Sequence, residues 1–296
     1  MKSRRRPSTL VKPRLLTWSE ILPWQRGNEY ILTGYRAASF SHCKSLQSVF
    51  QLHNETSNIW SHLLGVAWFL SSFIQYLRYL RVVRDSSFGD SVALGVYYVA
   101  VIACFALSTF FHTFSDHSPG MHKFGNELDH LGIVLVLWGT GVSGAHFAFG
   151  CHEGLELAYI GFLSATALGC GVFTLRPKFR QPAYRTTRFL LYMFLGASLF
   201  APIAHGLVLY GYSLLNDMMG LDSFLGLAII NFSGSAIYAA RVPERWFPGT
   251  FDYIGQSHNL MHILVLMGAL VRLQGLLGAL EYWQGPLGKG VCLGLV

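Results

Sequence analysis

Charge is what this chain has least of. Asp, Glu, Lys and Arg make up 12% of its 296 residues, about half of the ~25% found in ordinary soluble domains. That shortage argues against a soluble protein, and the 52% of apolar residues points to a polytopic membrane protein. The five cysteines (Cys43, Cys104, Cys151, Cys170, Cys292) contain no CxxC pair, and two of them sit inside apolar runs. Neither a thiolate zinc site nor a disulfide framework is expected from that spacing. HExxH, GxSxG and Walker-type loops are absent as well, which removes the soluble zinc protease, α/β-hydrolase and P-loop classes. The charged start runs into Pro7 and polar residues rather than an apolar stretch, so no signal peptide is expected.

The charge that is present is mostly basic. The net charge is +7, and the excess is concentrated in residues 1–44. Ahead of apolar spans, such a tail faces anionic lipid at the cytoplasmic surface, and nucleic acid is not expected as a partner. Seven apolar runs follow, at 59–80, 92–114, 131–149, 155–175, 189–210, 223–240 and 260–280. Each approaches the ~20 residues that cross a bilayer, and backbone groups without water must pair within their own segment. The fold expected is an all-α, seven-helix transmembrane bundle. The 223–240 run is the weakest, being short and holding Asn231, and Pro202 should kink the fifth span.

Residues 1–21 read as a flexible basic tail and 22–58 as a cytoplasmic segment. Residues 59–281 form the bundle and 282–296 a short C-terminal tail. Within the second segment, 45–53 has the spacing of a short surface helix. Arg176, Lys178, Arg180, Arg185 and Arg188 weight the fourth connection, which favours a cytoplasmic N-terminus and a C-terminus on the opposite side. Arg78, Arg81 and Arg84 dissent.

Counting spans brings separated residues to one depth. His258 and His262 stand at i and i+4 at the mouth of the last span, with both imidazoles on one face roughly 6 Å apart. HxxxH alone is a weak signature and is more often a satisfied core pair. The end of the second span adds His112, with Ser108 one turn before it, and the start of the third adds Asp129. Three neutral imidazoles with an open fourth position suit a catalytic Zn2+, with Asp129 holding or deprotonating a water. His117, His122 or His130 could replace one of the ligands. Ser108 has a plainer reading, a small packing residue bonded to its own helix. His62 and His205 are expected to hydrogen-bond between helices and His146 to lie near the outer end of the third span. His42, His53 and His152 are expected at solvent or interfaces. Glu244, Asp252, Arg241 and Arg245 read as a folded loop rather than an acid/base pair.

Several motifs in order resemble a known family. They are NEYILTGYR (28–36), HNETSNIWSHLLG (53–65), SxxxH (108–112), ELDHLGI (127–133) and PExxxPGxFDxxGxSHxxxH (243–262). Together they are similar to the progestin and adipoQ receptor family, which includes adiponectin receptors, haemolysin III-like proteins and fungal zinc-homeostasis relatives. The resemblance implies zinc held by His112, His258 and His262, with Asp129 acting through water and Ser108 beside it. It also implies ceramidase-like hydrolysis of a lipid amide to a long-chain base and a fatty acid, and Arg188 as a lipid contact or else an inner-face anchor. The alternative is a receptor or regulator of lipid, sterol and zinc homeostasis in which zinc is structural. A transporter is disfavoured by the lack of polar residues through the outer half. Expected partners are the bilayer and a ceramide, fatty acid or sterol-like lipid, in a plasma membrane or endomembrane. An extracellular ligand and a homodimer are left open.

Overall fold

The computed structural model describes residues 14–82, 87–176 and 184–292. Within them the chain is all-α, without strands beyond one isolated bridge, Leu16 to Tyr35. Residues 1–13 of the basic tail, Arg84, Lys178 and Arg180 lie outside the described residues.

A short helix α1 (His42–Ser48) precedes the long ones: α2 (Thr56–Val82), α3 (Phe88–Phe114), α4 (Pro119–Phe149) and α5 (Glu153–Leu175). Then come α6 (Arg185–Ser198), α7 (Phe200–Met219), α8 (Leu221–Ala240), α9 (Ser257–Gln284) and the short α10 (Pro286–Val291). Seven spans are long and apolar enough to cross a membrane, the fifth being built from α6 and α7 together. The two adjoin at Leu199, whose own backbone is helical (φ −66°, ψ −23°), and the non-helical residue within α7 is Gly211 (φ +71°). Pro202 lacks the N–H that would bond to the Ser198 carbonyl, and its ring crowds that same carbonyl. Apolar side chains such as Leu64, Leu168, Val208 and Ile229 point outward, whereas Asn58, His62, Ser108, His112, His262 and Arg272 are buried. This distribution is the one a hydrocarbon solvent imposes.

Two expectations need correcting. Cys151 and Cys292 form a disulfide, with Cα atoms 5.1 Å apart. They are 141 residues apart in sequence and meet only because α4 and α9 end at the same face of the bundle, which no local spacing encodes. The surface helix forms at His42–Ser48 rather than 45–53, because Ser41 caps it at the Lys44 N–H and residues 49–55 turn into α2. Leu46, Phe50 and Leu52 remain exposed.

Residues 14–55 fold across one end of the bundle, here called the N-terminal face. Arg36 is buried there and donates to the backbone carbonyls of His112 (2.6 Å) and Thr113 (2.9 Å) and to Ser48 Oγ (2.7 Å). It lies 3.4 Å from Asp116, so a cation sits on the negative end of α3. Asp252 accepts from the Leu32 and Thr33 backbone N–H groups. Glu244 accepts from the Ser257 N–H (2.7 Å) and from Asn28 (3.0 Å), placing a carboxylate at the positive end of α9. The expected folded loop is therefore one that positions His258. Gly34, Gly249 and Gly255 take positive φ in these turns, where a side chain would be strained.

His53, expected at solvent or an interface, is fully buried. Its Nε2 bonds the Ser48 carbonyl and its Nδ1 accepts the Glu55 N–H, each at 3.1 Å. Burial, with the Arg36 charge second, lowers its pKa to about 3. At the opposite face His146 bonds Asp90 (2.8 Å) and Glu156 (2.6 Å), tying α3, α4 and α5 together.

Two tests follow from this packing. A Cβ at Gly139 would lie 2.4 Å from the Ala100 Cβ across the α3–α4 contact. Gly139→Ala is expected to destabilise the detergent-purified protein by about 1–3 kcal/mol, read as a lowered Tm. His53 stays neutral in the fold while the unfolded chain protonates near pH 6.5, so its contribution falls as pH drops from about 6.5 to about 3. The loss is at most about 1.4 kcal/mol per pH unit, and His53→Gln should flatten that part of the stability profile.

Candidate metal centre

Near the N-terminal face, the end of α3 and the start of α9 bring His112, His258 and His262 together. One ring nitrogen of each lies within 4.8 Å of the others. The ring planes are inclined to one another by 71° (His112–His258), 74° (His112–His262) and 73° (His258–His262). No pair stacks, so the three rings approach the shared space from different directions, as three ligands of a tetrahedral ion must. His117, His122 and His130 stay outside this group. His117 bonds Ser118 Oγ, His122 bonds the Ser115 carbonyl and His130 bonds the Asn126 carbonyl of its own helix.

The donor set fits a metal on the chemistry of its orphaned atoms. His112 Nε2, His262 Nδ1 and Ser108 Oγ are buried without a hydrogen-bond partner among the described residues. Buried polar atoms in that condition are costly unless something occupies the space between them. The Ser108 hydroxyl is not spent on its own helix backbone, so the plainer reading of that residue loses its basis.

A carboxylate fixes one of the rings. His112 Nδ1 lies 2.7 Å from Glu55 Oε2; an ionised carboxylate only accepts, so the proton is on Nδ1 and the lone pair on Nε2 faces the cluster. Asn58 donates to the same oxygen at 2.7 Å. Asn259 donates to Asn58 at 2.7 Å and accepts from the Gly255 N–H at 3.0 Å. Burial pushes the Glu55 carboxyl up, but His112, His258 and Asn58 together hold it below the usual carboxylate range. In the sequence Glu55 sits in the polar stretch 54–58 ahead of the first apolar run, where nothing local marks it as a partner of His112. The signal that could have found it is the spacing of Glu55, Asn58 and His62, which place one face of the α2 entry towards α3 and α9.

His62 also departs from expectation. Neither of its ring nitrogens has a hydrogen-bond partner among the described residues. It is sandwiched between Phe105 (4.7 Å between ring centroids) and His262 (3.9 Å, 17° between planes). A Cβ at Gly65 would lie 2.8 Å from the Phe105 ring, so glycine there is what lets Phe105 close the stack. His205, in contrast, hydrogen-bonds Tyr159 on α5 at 2.9 Å, as expected of an interhelical partner. Asp129 is half-buried on α4 and interacts electrostatically with His62 and His258. It is not one of the three converging groups. Arg188 falls within α6, and its side chain is outside the described residues.

Comparison with known proteins agrees with this architecture. Residues 50–273 match the family described as Haemolysin-III related. The chain is 33% identical over 281 residues to the ADIPOR-like receptor IZH2 of Saccharomyces cerevisiae, covering 95% of this chain and 89% of that protein. It is 32% identical to the adiponectin receptor protein of Drosophila melanogaster, over 86% of this chain and 56% of the longer relative. With heptahelical transmembrane protein 3 of Arabidopsis thaliana it shares 29% identity over 88% of this chain and 86% of the plant protein. Seven spans, the motif order and these matches agree: the chain belongs to the Haemolysin-III related, adiponectin-receptor-like family of progestin and adipoQ receptors.

Proposed function

We propose that the protein is a zinc-dependent hydrolase of a lipid amide, with a ceramide-like substrate, working near the inner face of its membrane. The observation that carries this reading is the group of three converging imidazoles, two of which, His112 and His262, hold a buried nitrogen without a hydrogen-bond partner among the described residues. His112, His258 and His262 would hold the ion. Bound there, Zn2+ supplies a Lewis acid and acidifies water to near neutrality.

The remaining roles belong to the chain's own groups. Glu55 orients His112 through Nδ1–H and keeps its Nε2 lone pair available. Asp129, within electrostatic range of His258, takes the proton of the attacking water and returns it to the leaving amine. Ser108, with its hydroxyl uncommitted, donates to the acyl carbonyl. The apolar exterior and buried site exclude bulk water, which suits a substrate that arrives from the bilayer. Amide cleavage then yields a long-chain amine and a fatty acid.

The orientation has support of its own. The Cys151–Cys292 disulfide lies on the face opposite residues 14–55, and disulfides persist on the oxidising side of a membrane. We therefore place the histidines towards the cytosol, in agreement with the basic bias of the loops.

The first check is metal analysis of the detergent-purified protein. About one zinc per chain is expected in the wild type and none in His258→Ala/His262→Ala; a folded wild type without metal would sink the hydrolase. Glu55→Ala should weaken zinc affinity about 10–100-fold while leaving the ligands in place. In a ceramide turnover assay His112→Ala and Asp129→Ala should both be inactive. Zinc retained in Asp129→Asn, with full signalling and no turnover in the wild type, would instead favour a lipid and zinc regulator with a structural ion.

A further inference from the structure

Each of the three clustered imidazoles needs a fixed orientation if its lone pair is to meet the other two. For His112 the fixing contact is the Glu55 carboxylate, 2.7 Å from Nδ1. His258 follows Ser257, whose N–H is held by Glu244, and lies against the Tyr238 ring with 4.9 Å between centroids. His262 has no such anchor. Its Nδ1 is buried without a hydrogen-bond partner among the described residues, and the Asn58 carbonyl acts on the ring without bonding that nitrogen. What touches His262 instead is a ring face: His62 stacks on it at 3.9 Å, with 17° between planes.

Three helices build that stack. His62, Gly65 and Phe69 stand at i, i+3 and i+7 on α2, hence on one face. Phe105 stands two turns before His112 on α3. It covers the far side of His62 at 4.7 Å, and Phe69 meets Phe105 edge-to-face at 5.8 Å and 70°. All four rings, from Phe69 to His262, are buried. They form a column from the bundle core to the histidine cluster, with His62 the last ring before a ligand. Both His62 nitrogens lack partners among the described residues, so its contacts are made by its faces. It is not a fourth ligand. Lone pairs lie in the ring plane, two nearly parallel stacked planes do not converge on one ion, and His62 stands outside the converging group.

We propose that His62 is a positioning residue for the metal: clamped by Phe105, its ring face fixes the tilt of His262 and does for that ligand what the Glu55 carboxylate does for His112. This role rests on the metal binding proposed above, not on the hydrolysis. The terminal torsion of a histidine is broad unless packing or a hydrogen bond narrows it. With no hydrogen bond at Nδ1, packing has to do so. A flat partner at stacking distance leaves His262 one ring orientation, because tilting the ring away from the cluster drives its edge into His62.

The test is a Co2+ titration of the metal-free, full-length protein in detergent. It reads affinity and the position of the visible ligand-field band, with the Tm of the metal-free proteins measured alongside. His62→Leu stays apolar and loses the flat face, whereas His62→Phe keeps the face and drops the nitrogens. His62→Leu is expected to bind about tenfold more weakly with a shifted band, and His62→Phe within about threefold of wild type with the wild-type band. The metal-free Tm of the two variants should be alike, which separates positioning from a merely structural role. Wild-type affinity and band in His62→Leu, or His62→Phe as weak as His62→Leu, would overturn the proposal. If His62→Leu does not fold, Phe105→Leu decides, because it frees the back of His62; the same weakening is expected, and an unchanged affinity counts against the role. A wild type that binds no cobalt removes the metal and this role with it, whereas binding that His62→Leu leaves unchanged removes the role alone.

Discussion

In hydrocarbon every backbone N–H and C=O must be satisfied inside its own segment, and every polar side chain must find its partner inside the bundle. That constraint sets where chemistry can be placed in this chain. Seven helices meet the backbone requirement, and their apolar faces turn outward, so polar side chains are driven to the interior. Near the N-terminal face three helix ends overlap in depth, and residues from α2, α3 and α9 can reach one another there. The histidine cluster occupies that overlap.

Holding such a cluster requires the helix ends themselves to be fixed, because a ring displaced by one ångström no longer converges. The N-terminal segment supplies the fixing charges. Arg36 grips the last carbonyls of α3, one of them that of His112 itself. Glu244 grips the first N–H of α9, one residue before His258. Asp252 ties the loop that carries α9 back to Leu32 and Thr33. Each is a charge placed on the complementary end of a helix or on backbone donors. The motifs around Arg36 and around Glu244 are thus two halves of one brace.

Much of this was legible in the sequence. The seven spans could be read because apolar length is a local property, and Pro202 marked where the fifth span divides into α6 and α7 but not its non-helical residue, Gly211. The convergence of His112, His258 and His262 followed from counting crossings. What stayed hidden depends on contacts across the bundle. Cys151 and Cys292 give no signal until both are placed at one face. Glu55 gives no local signal in the sequence because its partner is 57 positions away. His62 looked like a hydrogen-bonder because nothing in its neighbourhood of sequence shows that Phe105 and His262 cover both faces of its ring. Whether His53 lay at solvent or at an interface stayed open, because its burial comes from a segment that folds back over the bundle.

The two halves of the bundle handle charge differently. Three neutral imidazoles add no charge to the N-terminal half, so a divalent cation among them would bring +2 into a poorly solvated region. Glu55 at the first ring and Asp129 within range of His258 bring −2, which closes the local balance without any further ion. At the opposite face His146 of α4 lies between two carboxylates, Asp90 and Glu156, so charge there is compensated by neighbours on two helices, α3 and α5. Arg272 is the exception. It has carbonyl dipoles and an aromatic face but no acid among the described residues. Its charge is balanced by dipoles rather than by an ion, because the Met219 and Gly220 carbonyls at the negative end of α7 face it at 2.8 and 3.1 Å.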